Sequence, residues 1–394
     1  MIARTILSFV KKSAARYPVI ALVGPRQSGK TTLAKLAFPR KPYFSFENPD
    51  TRAYALGDPR GFLAEIPRGA VLDEIQRVPE LLSYIQQIVD ESSKSGLFIL
   101  TGSNHFLMME KMGQSLAGRA AIHKVLPLSL EELRLSGKIA GTLNETLYRG
   151  GYPRIYDRRL NATDWLRDYT ETYLERDVRL LKNIGNLSNF HRFLRACAAR
   201  AGQLLNLSSL ADDCGITHNT ARAWISILEA SFLVFLLPPH YRNFNKRLKK
   251  SPKLYFYDSG LLCYLLGITS PALLAAHSLR GSIFENLIIG ELMKRSLNER
   301  TESSLFFWQD KSGREVDCLI EISEKLVPVE IKSGQTISAD YFRNLVYWRS
   351  LARASAQDAF VVYAGGENQK RSQGQVLGWR SIGKIPLSSG DLVS

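Results

Sequence analysis

The chain has 394 residues, 45% of them apolar, and a formal net charge of +15 at neutral pH. This is enough apolar material for the cores of two or three domains. The longest apolar run, near residues 230–239, is about half of the ~18 residues that a membrane helix needs, so we expect no membrane partner. The positive charge lies in the first 250 residues, because residues 251–394 hold 16 basic and 15 acidic residues. It favours a polyanion such as DNA as partner, although a merely soluble basic protein would share it.

The N-terminal segment and the cysteines indicate the compartment. Lys11 and Lys12 follow a short apolar stretch, which is the reverse of the order in a secretory signal, so we expect an amphipathic first helix. The cysteines lack the spacing of metal ligands, which favours a reducing cytoplasm with neither disulfide nor zinc. They are Cys197, Cys214, Cys263 and Cys318.

A phosphate-binding loop is predicted within YPVIALVGPRQSGKT, residues 17–31. A β-rich run leads into a complete G-x-x-x-x-G-K-T motif, and helical sequence follows, which is the context that this motif requires. Its glycines let backbone N–H groups close around phosphates at a helix N-terminus. Lys30 would neutralise phosphate charge, and the Thr31 hydroxyl would hold Mg²⁺. We expect ATP to contact Gly24, Pro25, Arg26, Gln27, Ser28, Gly29, Lys30, Thr31 and Thr32.

A second β-rich run, GAVLDEIQ, places Asp73 and Glu74 after an apolar stretch. Asp73 fits the carboxylate that binds the Mg²⁺ of the nucleotide, and Glu74 fits the base that polarises the attacking water. An acidic pair after an apolar run is common by itself. Its position behind a complete phosphate-binding loop is what makes the catalytic interpretation specific.

Five motifs in order now suggest a family. GPRQSGKTTL, VLDEIQ, LTGSN, SLAGRA and RGGYP resemble those of bacterial and archaeal AAA-type ATPases that carry a C-terminal domain of unknown function. The resemblance spans nearly the whole chain. It implies a parallel sheet of strand order 5-1-4-3-2, then a helical lid, with ATP at the carboxyl edge of the strands.

Two further roles follow from this resemblance. Asn104 or Ser103, after the strand in LFILTGSN, would sense the γ-phosphate, unless the segment is only a turn. Arg119 resembles the arginine finger that completes the site of a neighbouring subunit, and this role implies a homo-oligomer. An exposed structural arginine is the alternative.

The middle of the chain contains a helix-turn-helix candidate, LSSLADDCGITHNTARAWISILEAS. Helical spacing places Ala221, Ile225 and Leu228 on one face of its second helix. The outward residues near the start of that helix, where bases would be read, are His218, Asn219 and Arg222. A basic segment follows and would form the wing of a winged helix, although such domains also serve as lids or oligomer contacts. Its cations are Arg242, Lys246, Arg247, Lys249, Lys250 and Lys253.

The C-terminal part combines a helix, a hairpin and an acid-x-Lys strand. Glu285 lies on the helix, Asp317 on the hairpin opposite alternating Val316, Cys318 and Ile320, and Glu330 and Lys332 share one face of VPVEIKS. This order resembles the PD-(D/E)xK restriction-endonuclease-like core, with Val316 where the family has proline. The resemblance implies that Asp317 and Glu330 bind Mg²⁺ or Mn²⁺, that Lys332 orients a water, and that Glu285 assists. A plain ion pair on an inactive scaffold is the alternative.

The sequence thus predicts an α/β multidomain protein: an AAA-type ATPase core (1–128), a helical lid (129–190), a winged helix (191–253) and a restriction-endonuclease-like domain (254–394). We expect a cytoplasmic Mg²⁺-dependent ATPase that acts on DNA as an oligomer and whose C-terminal domain binds or cuts the DNA. Two alternatives stay open. One is a DNA remodeller or branch-migration motor without cleavage, and the other is a nucleotide switch that binds a partner protein.

Overall fold

The computed structural model of the chain describes residues 2–102, 115–174, 187–240, 251–301 and 304–392. It divides into two compact units. The first holds residues 1–128 with the short pieces 230–232 and 297–299, and the second holds the other residues. The described elements of the first unit are α1 Leu7–Ala14, β1 Val19–Val23, α2 Lys30–Ala37, β2 Tyr43–Ser45, α3 Pro49–Gly57, α4 Pro59–Ala64, β3 Val71–Asp73, α5 Leu81–Asp90, β4 Phe98–Gly102 and β5 Ala120–Lys124.

The first unit is built on a five-stranded parallel sheet of order β2-β3-β4-β1-β5. This is the strand order that the resemblance implied, so that prediction is confirmed. Every residue of β1 is buried, as expected for a central parallel strand covered on both faces. Because the strands are parallel, the residues that follow β1, β3 and β4 meet at one edge of the sheet.

An apolar cluster fixes α1 and α2 against this sheet. Ile20 and Leu22 of β1 pack with Leu33 of α2, Val10 of α1 and Val125. Burial of each large aliphatic side chain contributes about 2 kcal/mol, and α2 is thereby held where its first turn follows the phosphate-binding loop. The position of Lys30 is therefore a consequence of core packing.

The second unit contains most of the helices and two further sheets. The described elements that lie mainly in it are α6 Leu130–Leu135, α7 Leu143–Arg149, α8 Pro153–Asp157, α9 Ala162–Tyr169, α10 Leu187–Ala199, α11 Leu207–Cys214, α12 His218–Ala230, β6 Val234–Leu237, β7 Lys253–Phe256, α13 Ser259–Leu265, α14 Pro271–Ala276, α15 Arg280–Glu299, β8 Ser304–Gln309, β9 Glu315–Ile322, β10 Lys325–Lys332, α16 Arg343–Ala352, β11 Phe360–Tyr363, β12 Gln369–Arg371 and β13 Gly374–Gly378.

Three helices and a two-stranded sheet occupy the middle of this unit. Helix α11 ends at Cys214 and is followed by Gly215, which adopts a left-handed conformation, and α12 begins at His218. Ala221, Ile225 and Leu228 are buried along α12. Strands β6 and β7 then pair antiparallel, with Val234 opposite Phe256. Along the chain, helices α10, α11 and α12 are therefore followed by the antiparallel pair of strands β6 and β7.

The larger sheet of the second unit is mixed, with strand order β12-β13-β11-β10-β9-β8. Strands β8, β9 and β10 are antiparallel, whereas β10, β11 and β13 run parallel. Helix α16 connects β10 to β11 and packs Leu345 and Trp348 into an apolar cluster on the sheet. In chain order this part of the unit consists of helix α15, strands β8, β9 and β10, helix α16 and strands β11, β12 and β13.

A register shift in this sheet corrects one prediction. Between β8 and β9 the pairing moves by one residue, so that Phe306 faces Leu319 while Trp308 faces Val316. The extra residue lies at 317–318, and a bulge of this kind redirects side chains. Val316 and Leu319 consequently lie in the same apolar cluster. The predicted alternation of Val316, Cys318 and Ile320 is wrong at this point, because the bulge interrupts the two-residue period.

Two further features of the described residues concern the length of the helices and the state of the cysteines. None of the helices within the described ranges is long and apolar enough to cross a membrane. The four cysteines are buried as free thiols. Burial raises the pKa of Cys197, Cys263 and Cys318, so these thiols stay protonated at neutral pH and pack as small apolar groups.

Candidate functional site

The phosphate-binding loop joins β1 to α2 with a backbone that requires glycine at its two ends. Gly24 has a φ of +151°, and a Cβ atom there would lie 2.2 Å from the carbonyl oxygen of Val125. Gly29 has a φ of +94° and precedes the first residue of α2. Both conformations are readily accessible to glycine alone. Glycine at both ends therefore allows the chain to turn closely between β1 and α2.

Lys30 already lies across this loop. Its ammonium group donates to the carbonyl oxygens of Gly24, at 3.0 Å, and Pro25, at 2.8 Å. The residue is buried, with 6% of its surface exposed. These carbonyl oxygens stand in for the phosphate oxygens that the ammonium group would meet in a nucleotide complex. The arrangement places a fixed positive charge where the phosphates would bind.

Asp73 gathers hydroxyl groups at the carboxyl edge of the sheet. The Thr31 hydroxyl donates to both Asp73 oxygens at 3.1 Å. The Tyr43 hydroxyl donates to Asp73 Oδ2 at 2.6 Å, and the Thr101 hydroxyl donates to Oδ1. A hydroxyl and a carboxylate at this separation are the hard oxygen donors that Mg²⁺ prefers. The residues present therefore fit a magnesium ion, which Thr31 and Asp73 would hold.

Glu74 turns away from the strand that carries Asp73. Its φ is +58°, and its side chain accepts a hydrogen bond from the Gln76 amide. Its backbone N–H faces the Thr101 hydroxyl at 3.4 Å. The Glu74 carboxylate is thus held by Gln76, one residue after the magnesium-ligand candidate Asp73.

Three contributors to this site were missed by sequence reasoning. Arg4 donates to the carbonyl oxygens of Ser28 and Leu126, both at 2.7 Å, and so ties the phosphate-binding loop to the segment after β5. Tyr43 and Thr101 support Asp73. Thr101 could have been found as a polar residue at the end of the strand beside β3, but no sequence signal marks Arg4 or Tyr43.

Tyr43→Phe tests the support of Asp73. Burial and the hydrogen bond to Asp73 raise the pKa of Tyr43, so its hydroxyl remains a donor at neutral pH. The variant loses only that hydroxyl and keeps the aromatic ring, whose centre lies 3.7 Å from the Lys35 ammonium nitrogen. We expect the Mg²⁺ concentration for half-maximal ATP hydrolysis to rise about 10-fold. This is the lower end of the loss in metal affinity that follows removal of a group that orients a metal ligand.

The control for this measurement is Tyr54→Phe. Tyr54 lies in the same unit and donates to the Glu65 carboxylate. Its loss should leave the Mg²⁺ requirement unchanged. An equal requirement in Tyr43→Phe and the wild-type chain would show that Asp73 needs no support from Tyr43.

Arg119 lies at the opposite edge of the sheet. It precedes β5, and its carbonyl oxygen accepts the N–H of Val19, the first residue of β1. Because β1 has five residues, about 16 Å of strand separates this edge from the phosphate-binding loop. The guanidinium group pairs with Asp90 at the end of α5, at 2.9 Å through Nη2, and this hydrogen bond raises the pKa of Arg119. Arg119 is thus remote from its own phosphate-binding loop.

The candidates for the γ-phosphate sensor, Asn104 and Ser103, lie outside the described residues.

The predicted DNA-reading residues divide into exposed and undescribed sets. His218, Asn219 and Arg222 are exposed on the first turns of α12. The basic residues Arg242, Lys246, Arg247, Lys249 and Lys250 lie outside the described residues. Lys253 corrects the sequence interpretation, because it is a buried residue of β7 and not part of an exposed basic wing.

A second group of charged residues lies in the second unit. Ligand oxygens of Glu285, Glu315 and Asp317 lie within 4.8 Å of one another. Asp317, at the bulge, accepts the N–H of Ile331 at 2.6 Å. On the next strand Glu330 pairs with Lys332 at 2.6 Å. The structure therefore brings together the four residues that the sequence singled out and adds Glu315.

Burial dominates the electrostatics of this group. It raises the pKa of Glu330 to about 8 and that of Glu315 to about 7, and the charge of Asp317 adds to both effects. Asn344 also donates to Glu330 Oε1 at 3.3 Å, whereas the buried Oε2 atom has no hydrogen-bond partner among the described residues. An unpaired buried carboxylate oxygen is costly, and a bound cation would satisfy it.

Comparison with known proteins assigns the first unit to a family. An AAA domain family matches residues 16–134, and Domain of unknown function (DUF8612) and Domain of unknown function (DUF4143) match residues 140–272 and 280–382. Uncharacterized proteins Rv2008c of Mycobacterium tuberculosis and Mb2031c of Mycobacterium bovis are each 30% identical over 361 residues, covering 90% of this chain and 78% of theirs. The solved Walker-type ATPase PABY2304 of Pyrococcus abyssi aligns with a TM-score of 0.45 and 16% identity over 67% of this chain and 96% of its own. The match of the AAA domain family to residues 16–134 confirms the AAA-type P-loop assignment.

Proposed function

The chain belongs to the protein family of its two mycobacterial relatives and carries an AAA-type P-loop domain, and from this premise we propose that it hydrolyses ATP with Mg²⁺ and acts on DNA. The observation that carries the ATPase proposal is the pair formed by the Thr31 hydroxyl and the Asp73 carboxylate, 3.1 Å apart, beside the buried ammonium group of Lys30. These groups occupy the carboxyl edge of a parallel sheet, where such domains bind nucleotides.

Each residue of this site has a distinct task in the proposed reaction. Bound Mg²⁺ would neutralise charge on the β- and γ-phosphates, and Thr31 and Asp73 would hold it. Lys30 supplies a fixed positive charge to the phosphate oxygens. Glu74 accepts a proton from the attacking water and orients it. Arg4 keeps the loop closed through its two hydrogen bonds to backbone carbonyls.

A homo-oligomer would give Arg119 a role. Because Arg119 lies at the edge opposite its own phosphate-binding loop, it can act as an arginine finger only towards another subunit. Its ion pair with Asp90 would then open on assembly. Sedimentation of the chain with ATP is the simplest test, and a monomer at all concentrations would contradict this assignment.

DNA is the proposed substrate because the chain carries an excess of positive charge and exposes polar side chains at the start of α12. The excess of basic residues lies in the first 250 positions, and His218, Asn219 and Arg222 are exposed at the start of α12. A helix-turn-helix followed by a hairpin is a common way to present such a helix to DNA. Phosphate contacts predict that affinity falls steeply as salt rises. No binding to DNA at low salt would instead favour a nucleotide switch that binds a partner protein.

We further propose that the second unit hydrolyses phosphodiester bonds with a divalent cation. The specific support is the buried, unpaired Oε2 atom of Glu330 next to Asp317, with the ammonium group of Lys332 beside Glu330. The chain order of a helix (α15), a hairpin (β8 and β9) and an acid-x-Lys strand (β10) supports this proposal, because it is the order in which the sequence resembles the restriction-endonuclease-like core. Asp317 and Glu330 would hold the ion, which supplies an activated water when bound. Lys332 would orient that water towards the scissile phosphate.

Cleavage is tested by incubating the full chain with branched and linear DNA in Mg²⁺ or Mn²⁺, with and without ATP. The double variant Asp317→Ala, Glu330→Ala should lose cleavage about 100-fold or more, since groups that merely support metal ligands cost about 10- to 100-fold. Glu321→Ala, Glu324→Ala is the matched control, because it removes two carboxylates from the same hairpin. Bound but uncut DNA with the wild-type chain would reject cleavage and favour a remodeller or branch-migration motor.

A further inference from the structure

Lys253 is the least expected member of the C-terminal charged group. It belongs to β7, the second strand of the small hairpin, and only 4% of its surface is exposed. Its ammonium group lies 3.3 Å from Glu285 Oε1 and also donates to Glu315. Burial opposes the charged form, but the two carboxylates outweigh burial and raise the pKa of Lys253. A buried positive charge therefore lies among the carboxylates.

The surroundings of Lys253 hold it in place. Its backbone pairs with Leu237 of β6 and with Leu204, and its ammonium group lies 5.6 Å from the centre of the Phe307 ring. The Tyr255 hydroxyl donates to the same Glu285 oxygen at 2.6 Å, and the Gln309 amide donates to Glu315 at 2.7 Å. Each of these two carboxylates thus accepts hydrogen bonds from two protein groups.

Glu330 differs from these two carboxylates. Its Oε1 atom contacts the Lys332 ammonium group, but its buried Oε2 atom has no hydrogen-bond partner among the described residues. When all are ionised, the four carboxylates Glu285, Glu315, Asp317 and Glu330 face two ammonium groups, Lys253 and Lys332. Two negative charges remain, which one divalent cation would balance.

We propose that the Lys253 ammonium group occupies the cation position formed by Glu285 and Glu315, and so limits this unit to one divalent ion, held by Asp317 and Glu330. The position of that ion rests on the proposed function, whereas the role of Lys253 rests on its own contacts. Lys253 is a positioning residue here: it fixes two carboxylates and excludes a second ion from them. The C-terminal chemistry would accordingly be that of a single metal ion.

The number of Mn²⁺ ions bound per chain tests this inference without any measurement of activity. Isothermal titration and electron paramagnetic resonance would be applied to the full chain without nucleotide, in an Asp73→Asn background that removes the carboxylate at the phosphate-binding loop. We expect one ion for the Asp73→Asn chain and two when Lys253→Met is added. Lys253→Arg keeps the charge and should still bind one.

Lys332→Met is the matched control, because it also removes one ammonium group. It should still bind one ion, since it opens no new position between Glu285 and Glu315. Lys253→Gln can keep a hydrogen bond to Glu315 and serves if Lys253→Met fails to fold, with two ions again expected. Equal numbers of ions with and without Lys253 would overturn the inference. No ion in the Asp73→Asn chain but one with Lys253→Met would support the role of Lys253 and reject the ion at Asp317 and Glu330.

Discussion

Lys30→Ala is expected to abolish ATP hydrolysis, with a fall in turnover of about 100-fold or more. The reason is local. Lys30 is the buried cation of the phosphate-binding loop, and its ammonium group donates to the carbonyl oxygens of Gly24 and Pro25 at 3.0 and 2.8 Å. Alanine removes that charge and leaves the polyanionic phosphates facing loop carbonyl oxygens. Steady-state phosphate release and binding of a fluorescent ATP analogue would measure the loss.

The control for this prediction is Lys11→Ala, which removes an exposed lysine from α1 of the same unit. Its turnover should match the wild-type chain. Lys30→Arg adds a second comparison, because a guanidinium group keeps the charge but cannot occupy the same space as an ammonium group. We expect it to be nearly as slow as the alanine variant. Normal ATP turnover in Lys30→Ala would contradict the assignment of the phosphate-binding loop.

The architecture of the first unit could be predicted because local signals and packing agree there. The motif from Gly24 to Thr31 demands a strand before it and a helix after it, and the apolar runs around Asp73 and Thr101 form buried strands. Strand order came from the family resemblance and is confirmed. The structure of such a segment can be predicted from its sequence because the local sequence preferences agree with the global fold.

The supporting contacts could not be predicted, because they join residues far apart in the chain. Arg4 and Leu126 are 122 residues apart, and Lys253 and Glu315 are 62 apart. Lys253 looked like part of a basic, exposed segment because its neighbours in sequence are basic. Its position on β7 buries it beside carboxylates from α15 and β9 instead. The bulge at 317–318 likewise has no local signal, since Val316 to Ile320 reads as an ordinary alternating strand.

Glu74→Gln is expected to separate ATP binding from ATP hydrolysis. Glutamine has nearly the same shape and also tolerates hydrogen bonding with Gln76, but it cannot accept a proton from water. Because Lys30, Thr31 and Asp73 are untouched, nucleotide and Mg²⁺ should bind as in the wild-type chain. Hydrolysis should fall by about 10²- to 10⁴-fold, the usual contribution of a positioned general base. Single-turnover phosphate release, measured beside nucleotide affinity, distinguishes the two steps.

The control is Glu80→Gln, which neutralises an exposed carboxylate that precedes α5 in the same unit and should leave both steps unchanged. If Glu74→Gln releases phosphate as fast as the wild-type chain, the base lies elsewhere and Glu74 only shapes the turn after β3. If hydrolysis stops while ATP stays bound, the variant traps the nucleotide state in which a subunit would need its neighbour's Arg119. Sedimentation of that trapped state then decides whether hydrolysis belongs to one chain or to an assembly.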